Sequence, residues 1–202
     1  MRKILTMVMM LLGWVTACGQ NDKEAEAILE RAAAAYEETS CLSIRFSGSQ
    51  TGEMILQGEC FYMDIAGVKS WYDGKTQWSY VERNEEVNIS TPSQEEIDTV
   101  HPYAWISRYK TDFSCKYTGK KTVNGKEVDE VVLIPKQTQE LKKIRLCLAS
   151  DSEPVSIGIT QSDGEEQRLN ITSCETKRKQ DITVFRFDKS KYPNAEEIDL
   201  RN

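Results

Sequence analysis

Apolar and polar residues alternate along most of this chain, and this period of two restricts the possible folds more than any other feature. Leu42, Ile44 and Phe46, for example, fall on one side of an extended segment, with polar residues between them. Successive side chains of a β-strand point to opposite faces, so each such segment predicts a strand with one buried face. The same spacing recurs at Met54 and Leu56; at Phe61, Met63 and Ile65; at Val131 and Leu133; at Ile144, Leu146 and Leu148; at Val155, Ile157 and Ile159; and at Phe185 and Phe187.

Three dipeptides that mark tight turns separate these segments: Asp73-Gly74, Asn124-Gly125 and Asp163-Gly164. Each favours the primed two-residue turn of an antiparallel hairpin, in which the central residues need positive φ. Such a turn at the first dipeptide places Trp71 opposite Thr76. Trp78 and Tyr80 then lie on the same side of the hairpin as Trp71. Strands do not alternate with long helices, which argues against a parallel sheet and favours an antiparallel meander.

Residues 23–39 predict an N-terminal helix. Ile28, Ala32 and Tyr36 recur every four residues and form one apolar stripe. The run of four alanines at 32–35 adds the strongest intrinsic helix propensity to this pattern.

A helical insert interrupts the strands near residue 91. Thr91 is predicted as the N-cap, with Pro92 at the first helical position and Gln94 completing a capping box. Pro102 is predicted to end this helix and to begin a second short one. The large apolar or aromatic side chains of the second helix are Tyr103, Trp105, Ile106 and Tyr109.

These elements predict a chain of the α+β class that is mostly β. A sheet with one apolar face per strand must curl on itself or be covered by the helical segments. A solid core and an apolar cup both meet this requirement, and the pattern alone favours the solid core. No linker divides the chain, so a single domain is predicted over residues 20–202.

The N-terminus predicts an export signal. Met1-Arg2-Lys3 supplies positive charge, and the apolar run from Ile4 to Val15 is shorter than the about 20 residues that span a bilayer. Two cleavages remain open. An ordinary signal peptidase would cut after Gly19, removing residues 1–19, or after Ala17, leaving Cys18 unmodified. A lipobox at Val15-Thr16-Ala17-Cys18 would instead direct removal of residues 1–17 and acylation of that cysteine.

The chain is acidic, with a formal net charge of −6, and loss of Arg2 and Lys3 with the signal makes it more so. This charge argues against nucleic acid and anionic membrane surfaces as partners. No second apolar stretch approaches spanning length, so any membrane attachment is expected only through an acylated Cys18.

The remaining reactive residues form no recognisable catalytic or metal site. The other five cysteines are widely spaced without a C-x-x-C pair, and they are expected mainly as small buried hydrophobes. His101 is the only histidine; it precedes a proline at a helix break and is interpreted as a turn residue. No catalytic motif such as G-x-S-x-G or H-E-x-x-H occurs. We therefore expect no enzyme activity, no metal and no cofactor.

Several segments resemble the LolA/LolB superfamily of lipoprotein carriers, and they occur in the order in which that family has them. The hairpin "WYDGKTQWSY" at 71–80 is similar to the family's "SDGKTLWFY"-type hairpin, and "HPYAWI" at 101–106 resembles "NPFxLI". "VLIPK" at 132–136 is similar to "VLTPK", and "FRFDKSKYPNAEEIDL" at 185–200 resembles the "FxFxxPxGxxxxD" ending. The leader followed by "NDKEAEAIL" resembles bacteroidal LolA-like members.

The resemblance implies a half-open antiparallel β-barrel, with an N-terminal helix and short lid helices over a hydrophobic cavity. It also implies a monomeric periplasmic carrier that takes acylated lipoproteins from an inner-membrane release complex and delivers them to an outer-membrane acceptor. If Cys18 is acylated, the family's membrane-anchored receptor is the closer parallel, and a binding module for another lipid is a third possibility.

On this basis the apolar positions become candidate ligand contacts. The predicted lipid-binding residues are Phe46, Met54, Leu56, Phe61, Met63, Trp78, Tyr80, Leu146 and Ile157, and the predicted lid residues are Tyr103, Trp105 and Ile106. One departure from the family is clear. The segment "GECFYMDIAGVKSW" at 58–71 has no counterpart of the arginine that contacts the lid in proteobacterial carriers, so that gating residue is not carried over.

Overall fold

The computed structural model describes residues 15–137 and 141–201, with side chains described from Asp22 onward except at 95, 98, 99 and 103. Its helices are α1 (Val15–Glu37), α2 (Gln94–Val100), α3 (Pro102–Ser107) and α4 (Tyr109–Asp112), with two 3₁₀ turns at Ile182–Phe185 and Lys189–Lys191. Its strands are β1 (Cys41–Gly48), β2 (Gly52–Gln57), β3 (Cys60–Ile65), β4 (Val68–Tyr72), β5 (Gln77–Val81), β6 (Glu86–Ser90), β7 (Phe113–Val123), β8 (Lys126–Pro135), β9 (Leu141–Leu148), β10 (Pro154–Gln161), β11 (Glu166–Lys177) and β12 (Glu196–Asp199).

All twelve strands form one sheet, in the order β12-β6-β5-β4-β3-β2-β1-β11-β10-β9-β8-β7. Strands β1–β6 and β7–β11 form two antiparallel meanders, joined where β1 pairs with β11. The edges β12 and β7 do not pair with each other, so the sheet is open, which confirms the half-open, mostly β fold. The parallel pair of β12 with β6 departs from the antiparallel expectation, because the C-terminal segment returns to the sheet edge as a separate short strand.

The helices cover one face of the sheet, which we call the inner face. The predicted stripe of α1 is buried there, with Ile28 and Leu29 against Leu133 and Ile144. Ile97 of α2 packs over the other meander, in a cluster with Ile44, Phe46, Met54, Leu56, Phe61 and Met63. The amphipathic helix and the alternating strands therefore bury their apolar sides against each other, as predicted from the helical and the two-residue spacing of their apolar residues.

The C-terminal segment covers part of the opposite, outer face. Phe187 and Tyr192 stack at 5.3 Å between ring centroids and lie over the β4–β5 hairpin. Phe187 is 5.5 Å from Trp71, and Tyr192 is 4.7 Å from Tyr80. The sheet is thus covered by apolar groups on both faces at this end.

One of the three predicted tight turns has the expected geometry. Asn124 and Gly125 have φ of 51° and 77° and join the paired residues Val123 and Lys126. The turns at Asp73-Gly74 and Asp163-Gly164 instead span four residues each.

A side-chain hydrogen bond explains the wider turn at Asp73. Its Oδ1 accepts from the backbone nitrogens of Lys75 (3.1 Å) and Thr76 (2.9 Å), and this side-chain-closed turn replaces the two-residue one. The hairpin register shifts by two residues, so Trp71 pairs with Trp78 rather than with Thr76. A shift of two keeps the predicted faces unchanged.

The helix boundaries also differ from those predicted. Helix α1 already includes Val15, the first described residue, so it extends further than the predicted start at residue 23, and it ends at Glu37. Ser93, not Thr91, caps α2: its Oγ accepts from Glu96 N at 3.3 Å, while Glu96 Oε2 accepts from Ser93 N at 2.7 Å. Pro102 begins α3 as predicted.

The predicted final strand is absent from the described fold, since Phe185 ends a 3₁₀ turn. Its aromatic ring is nevertheless fully buried. Within the described chain, none of the helices has both the length and the apolar character needed to cross a bilayer.

Candidate functional site

A cavity of about 240 Å³ lies between the inner face of the sheet and the helices α1 and α3. Its strand walls are mostly aliphatic, and α3 contributes Pro102 and Ile106. The lining residues are Ala32, Ala35, Tyr36, Thr39, Leu42, Ile44, Leu56, Pro102, Ile106, Leu146, Leu148, Asp151, Ser152, Glu153, Pro154, Ser156, Ile157, Cys174 and Thr176.

Small side chains on α1 explain why space remains at this place. Towards its N-terminus, α1 presents Ile28 and Leu29, which are buried in the core. One turn later it presents the buried Ala32 and the exposed Ala35 to the cavity, and these small side chains cannot fill the volume between the backbones. The alanine run therefore adds helix propensity and also leaves a gap in the packing.

Tyr36 and His101 attach the helices to the sheet beside the cavity. Tyr36 Oη donates to the carbonyl oxygen of Gly58, in the turn between β2 and β3, at 3.1 Å. The His101 ring, at the junction of α2 and α3, lies edge-on to Tyr36 at 6.4 Å and to Phe61 at 6.2 Å. Burial lowers the pKa of His101, and its hydrogen bond with the Gly58 backbone opposes that shift. His101, predicted as a turn residue, is thus buried where the α2–α3 junction contacts α1 and the sheet.

The mouth of the cavity is polar. It is formed by the β9–β10 turn, with Asp151, Ser152 and Glu153, and by Thr39 and Thr176 from the ends of α1 and β11. Apolar walls with polar groups at one end are typical of sites for small amphiphiles. Among the described residues, no group of three or more histidine, cysteine or acidic side chains has the arrangement of a metal site.

The model of the family described as "Outer membrane lipoprotein carrier protein LolA" matches residues 15–162, which is more than half of the chain. The chain belongs to this LolA family. The family match covers α1, the helical insert and strands β1 to β10, and therefore most of the elements that enclose the cavity. No curated protein sequence matches the chain significantly.

Solved structures share the fold of this LolA-family chain at low sequence identity. An uncharacterized conserved protein from Thermus thermophilus superposes with a TM-score of 0.62 at 12% identity, covering 87% of this chain and 99% of its own. A DUF1329 family protein from Desulfovibrio piger gives a TM-score of 0.50 at 9% identity, covering 82% and 97%. These likenesses concern the fold alone.

The structure brings some of the predicted site residues to the cavity of this LolA-family chain. Leu56, Leu146, Ile157 and Ile106 line it. Phe46, Met54, Phe61 and Met63 lie on the same inner face but pack together beyond the cavity wall, under α2. Trp105 does not line the cavity; it is buried against the apolar stripe of α1 and so attaches α3 to α1.

Trp78 and Tyr80, predicted in the cavity wall, lie instead on the outer face. A two-residue turn at Ala66-Gly67, with φ of 53° and 80°, sets the register in which Trp71 pairs with Tyr62. Phe61, the neighbour of Tyr62, points to the inner face, so Tyr62 and Trp71 point to the outer face. The aromatic side of the β4–β5 hairpin therefore faces the C-terminal segment. The side chains of Cys18 and Tyr103 lie outside the described residues.

Sequence reasoning missed several cavity residues. Ala32 and Tyr36 belong to the predicted α1 stripe and Ala35 to the alanine run, but neither pattern says where small residues leave a gap. Cys174 was expected as a small buried hydrophobe, and it is a half-buried free thiol in the cavity wall. Of the five described cysteines, all free, Cys41 and Cys147 are fully buried.

Proposed function

We propose that this protein carries lipoprotein acyl chains across the periplasm, sheltering them in the cavity beneath α1 and α3. The observation that carries this proposal is an apolar cavity at the helix–sheet interface of a LolA-family chain. Its ligands would be acylated lipoproteins, received from an inner-membrane release complex and passed to an outer-membrane acceptor. The protein would act by binding, without enzyme activity.

The free-energy cost of exposing an acyl chain to water explains why a carrier needs an apolar cavity. Each methylene group removed from water contributes about 0.8 kcal/mol, so a long acyl chain in water costs roughly 10 kcal/mol. The cavity, at about 240 Å³, lies below the range of about 300–1,000 Å³ typical of ligand pockets. Binding several chains therefore requires the helices to move away from the inner face. We propose α3 and the C-terminal half of α1 as the moving lid.

The Cys18 alternatives give this carrier two forms. Cleavage after residue 19 would produce a soluble periplasmic carrier. Acylation of Cys18 would hold the same cavity at the outer membrane, because two or more acyl chains anchor a protein firmly while one does not. Intact mass of the N-terminus in cells, for wild type and Cys18→Ser, distinguishes the two forms. A mature chain that begins after Cys18 would end the anchored version.

A fluorescent acyl probe tests the proposal itself. Saturable binding of the probe, reversed by a triacylated lipopeptide, is expected. The variant Ala35→Trp places an indole at the cavity lining, and the Kd of the variant for the probe should rise about fourfold for every methylene group of the probe that the indole displaces. Ala34→Trp is the matched control, since both alanines are exposed and only Ala35 lines the cavity. Absence of saturable binding, or equal loss in both variants, would contradict the proposal.

A further inference from the structure

We propose that the mouth of this cavity selects its ligand by charge: it accepts an acyl compound whose polar end is uncharged or cationic and disfavours one that ends in an anion. The inference rests on the proposed function, because it concerns the polar end of a ligand in the same cavity.

Two carboxylates stand in the mouth. Asp151 and Glu153 both line the cavity, from the turn that joins β9 to β10. Hydrogen bonds hold this turn in shape: Glu153 N donates to Asp151 Oδ1 at 3.1 Å, and Ala149 N donates to Glu153 O at 2.9 Å. These bonds hold the Asp151 carboxylate and the backbone of the turn in place near the entrance. Lys126 Nζ lies 3.8 Å from Glu153 Oε2 and offsets part of this charge.

Helix α1 adds negative potential from the other side of the mouth. Its last turn contributes Ala35 and Tyr36 to the lining, followed by Thr39. The C-terminus of a helix carries about half a negative charge, from carbonyl groups without a partner in the helix. Thr39 Oγ1 donates to Ala35 O at 2.8 Å, and the backbone nitrogens of Glu38 and Thr39 donate to Ala34 O (3.1 Å) and Tyr36 O (2.9 Å), so the helix dipole, and not a set of open carbonyl groups, supplies the negative potential here. The described last turn of α1 has no basic side chain to balance this potential.

The Cys174 thiol, in the cavity wall, is affected by this negative electrostatic potential. Its pKa is raised to about 11, first by burial and then by the carboxylates of Glu153, Asp151 and Glu175, with Lys126 opposing. Ionising this thiol would place an anion in the wall. The charges that resist that ionisation also act on an anionic group of a ligand at the same place.

This potential separates classes of acyl compound. The ester, amide and thioether links of an acylated lipoprotein N-terminus are uncharged, and a free α-amino group there would be cationic. A free fatty acid or an acidic phospholipid instead brings a negative charge to the entrance. Repulsion between partly exposed like charges is modest, so each carboxylate should weaken an anionic ligand by about two- to fivefold.

The test compares ligands that share one acyl chain and differ in charge. Palmitic acid, monopalmitoylglycerol and palmitoylcholine would each displace a neutral fluorescent acyl probe from the full chain at a pH where the fatty acid is ionised. We expect the glycerol ester and the choline ester to bind more tightly than palmitate, with a difference that shrinks at high salt. The double variant Asp151→Asn/Glu153→Gln keeps the Oδ1 acceptor of the turn and should remove most of this preference.

The chain offers a matched control in the β10–β11 turn. Asp163 and Glu165 have the same spacing, and Asp163 Oδ1 likewise accepts from Glu165 N, at 2.9 Å, but neither lines the cavity. The control Asp163→Asn/Glu165→Gln makes the same change in net charge and should keep the wild-type preference. Equal or tighter binding of palmitate by the wild type, or an unchanged preference in the Asp151/Glu153 variant, would overturn the inference. If none of the three compounds displaces the probe while a triacylated lipopeptide does, the inference fails and the proposed function stands; if the lipopeptide also fails, the proposed function itself fails.

Discussion

At the scale of single residues, His101 shows how the lid is attached. A histidine before a proline is usually interpreted as part of an exposed turn, yet only 3% of His101 is exposed. It packs between Tyr36 of α1 and Phe61 of β3, and so links the helical insert, the N-terminal helix and the sheet at one point. Gly58 accepts from Tyr36 beside it. The cavity wall therefore depends on a few contacts around one turn of the sheet.

The depressed pKa of His101 predicts a pH-dependent stability. Burial favours the neutral imidazole in the folded chain, so the unfolded chain takes up a proton at higher pH than the folded chain does. This contribution is fully present above the unfolded pKa of about 6.5 and is lost as the pH falls below it. Urea unfolding between about pH 5 and pH 8 should show a steeper acid loss for wild type than for His101→Asn. Parallel pH profiles would show that His101 does not titrate with unfolding.

At the scale of elements, the C-terminal segment holds the β3–β4 region from the outer face. The 3₁₀ turn Ile182–Phe185 begins with Asp181, whose Oδ1 accepts from Thr183 N at 2.9 Å. Phe185 then enters the core with no exposed surface. Arg186 Nε donates to Asp73 Oδ2 at 2.8 Å and connects the segment to the β4–β5 turn. The segment thus stabilises the sheet without the strand that alternation predicted.

Phe185→Ala should lower the free energy of unfolding by about 3–5 kcal/mol, because it leaves a cavity the size of a phenyl ring. Ile182→Ala, in the same 3₁₀ turn but at a residue that is 36% exposed, should change it by less than about 1 kcal/mol. Urea denaturation followed by tryptophan fluorescence measures both. Equal losses in the two variants would show that the turn, not the buried ring, carries the stability.

The α2 cap offers a second test at this scale. Ser93 and Glu96 satisfy each other's backbone nitrogens, which orders the start of the helical insert. Ser93→Ala should cost about 0.5–2 kcal/mol, whereas Thr91→Ala should cost less, because Thr91 lies outside the observed cap. Thermal unfolding of the two variants distinguishes the observed cap from the one that sequence spacing predicted.

At the scale of the whole molecule, an open sheet with helices on its inner face has the arrangement that the proposed lid movement needs. The strands are joined by continuous ladders of backbone hydrogen bonds, while α3 has only six residues and rests on side-chain packing. Elements held by fewer contacts open at lower free energy than strand ladders do. We propose that α3 separates from the sheet in this way, without breaking the sheet itself.

Hydrogen exchange measures this difference directly. Amides of α3 and of the end of α1 should exchange faster than those of β8, β9 and β10, and lipopeptide binding should change exchange in the lid first. Ala34→Trp serves as a control that alters α1 without entering the cavity. Uniform exchange across helices and sheet, with no change on binding, would argue against a moving lid.

Local patterns in the sequence determined the elements and their buried sides. Alternation placed Ile44, Leu146 and Ile157 on buried faces, and the α1 stripe and the Asn124-Gly125 turn followed from short-range preferences. These features depend on residues close together in the chain, which is why they could be predicted. Three of the nine predicted cavity residues, and Ile106 of the lid, line the observed cavity for the same reason.

Only the tertiary structure decided which buried face encloses a cavity. Alternation defines two sides of a strand but does not say which side meets the helices, so Trp78 and Tyr80 lie under the C-terminal segment instead. The gap beside Ala32 and Ala35 depends on the distance between α1 and strands far away in the chain. The acidic mouth likewise exists because the end of α1 meets the β9–β10 turn, more than 110 residues later. The volume of the cavity and the electrostatic potential at its mouth depend on how elements that are far apart in the sequence pack against each other. No local sequence pattern specifies that packing.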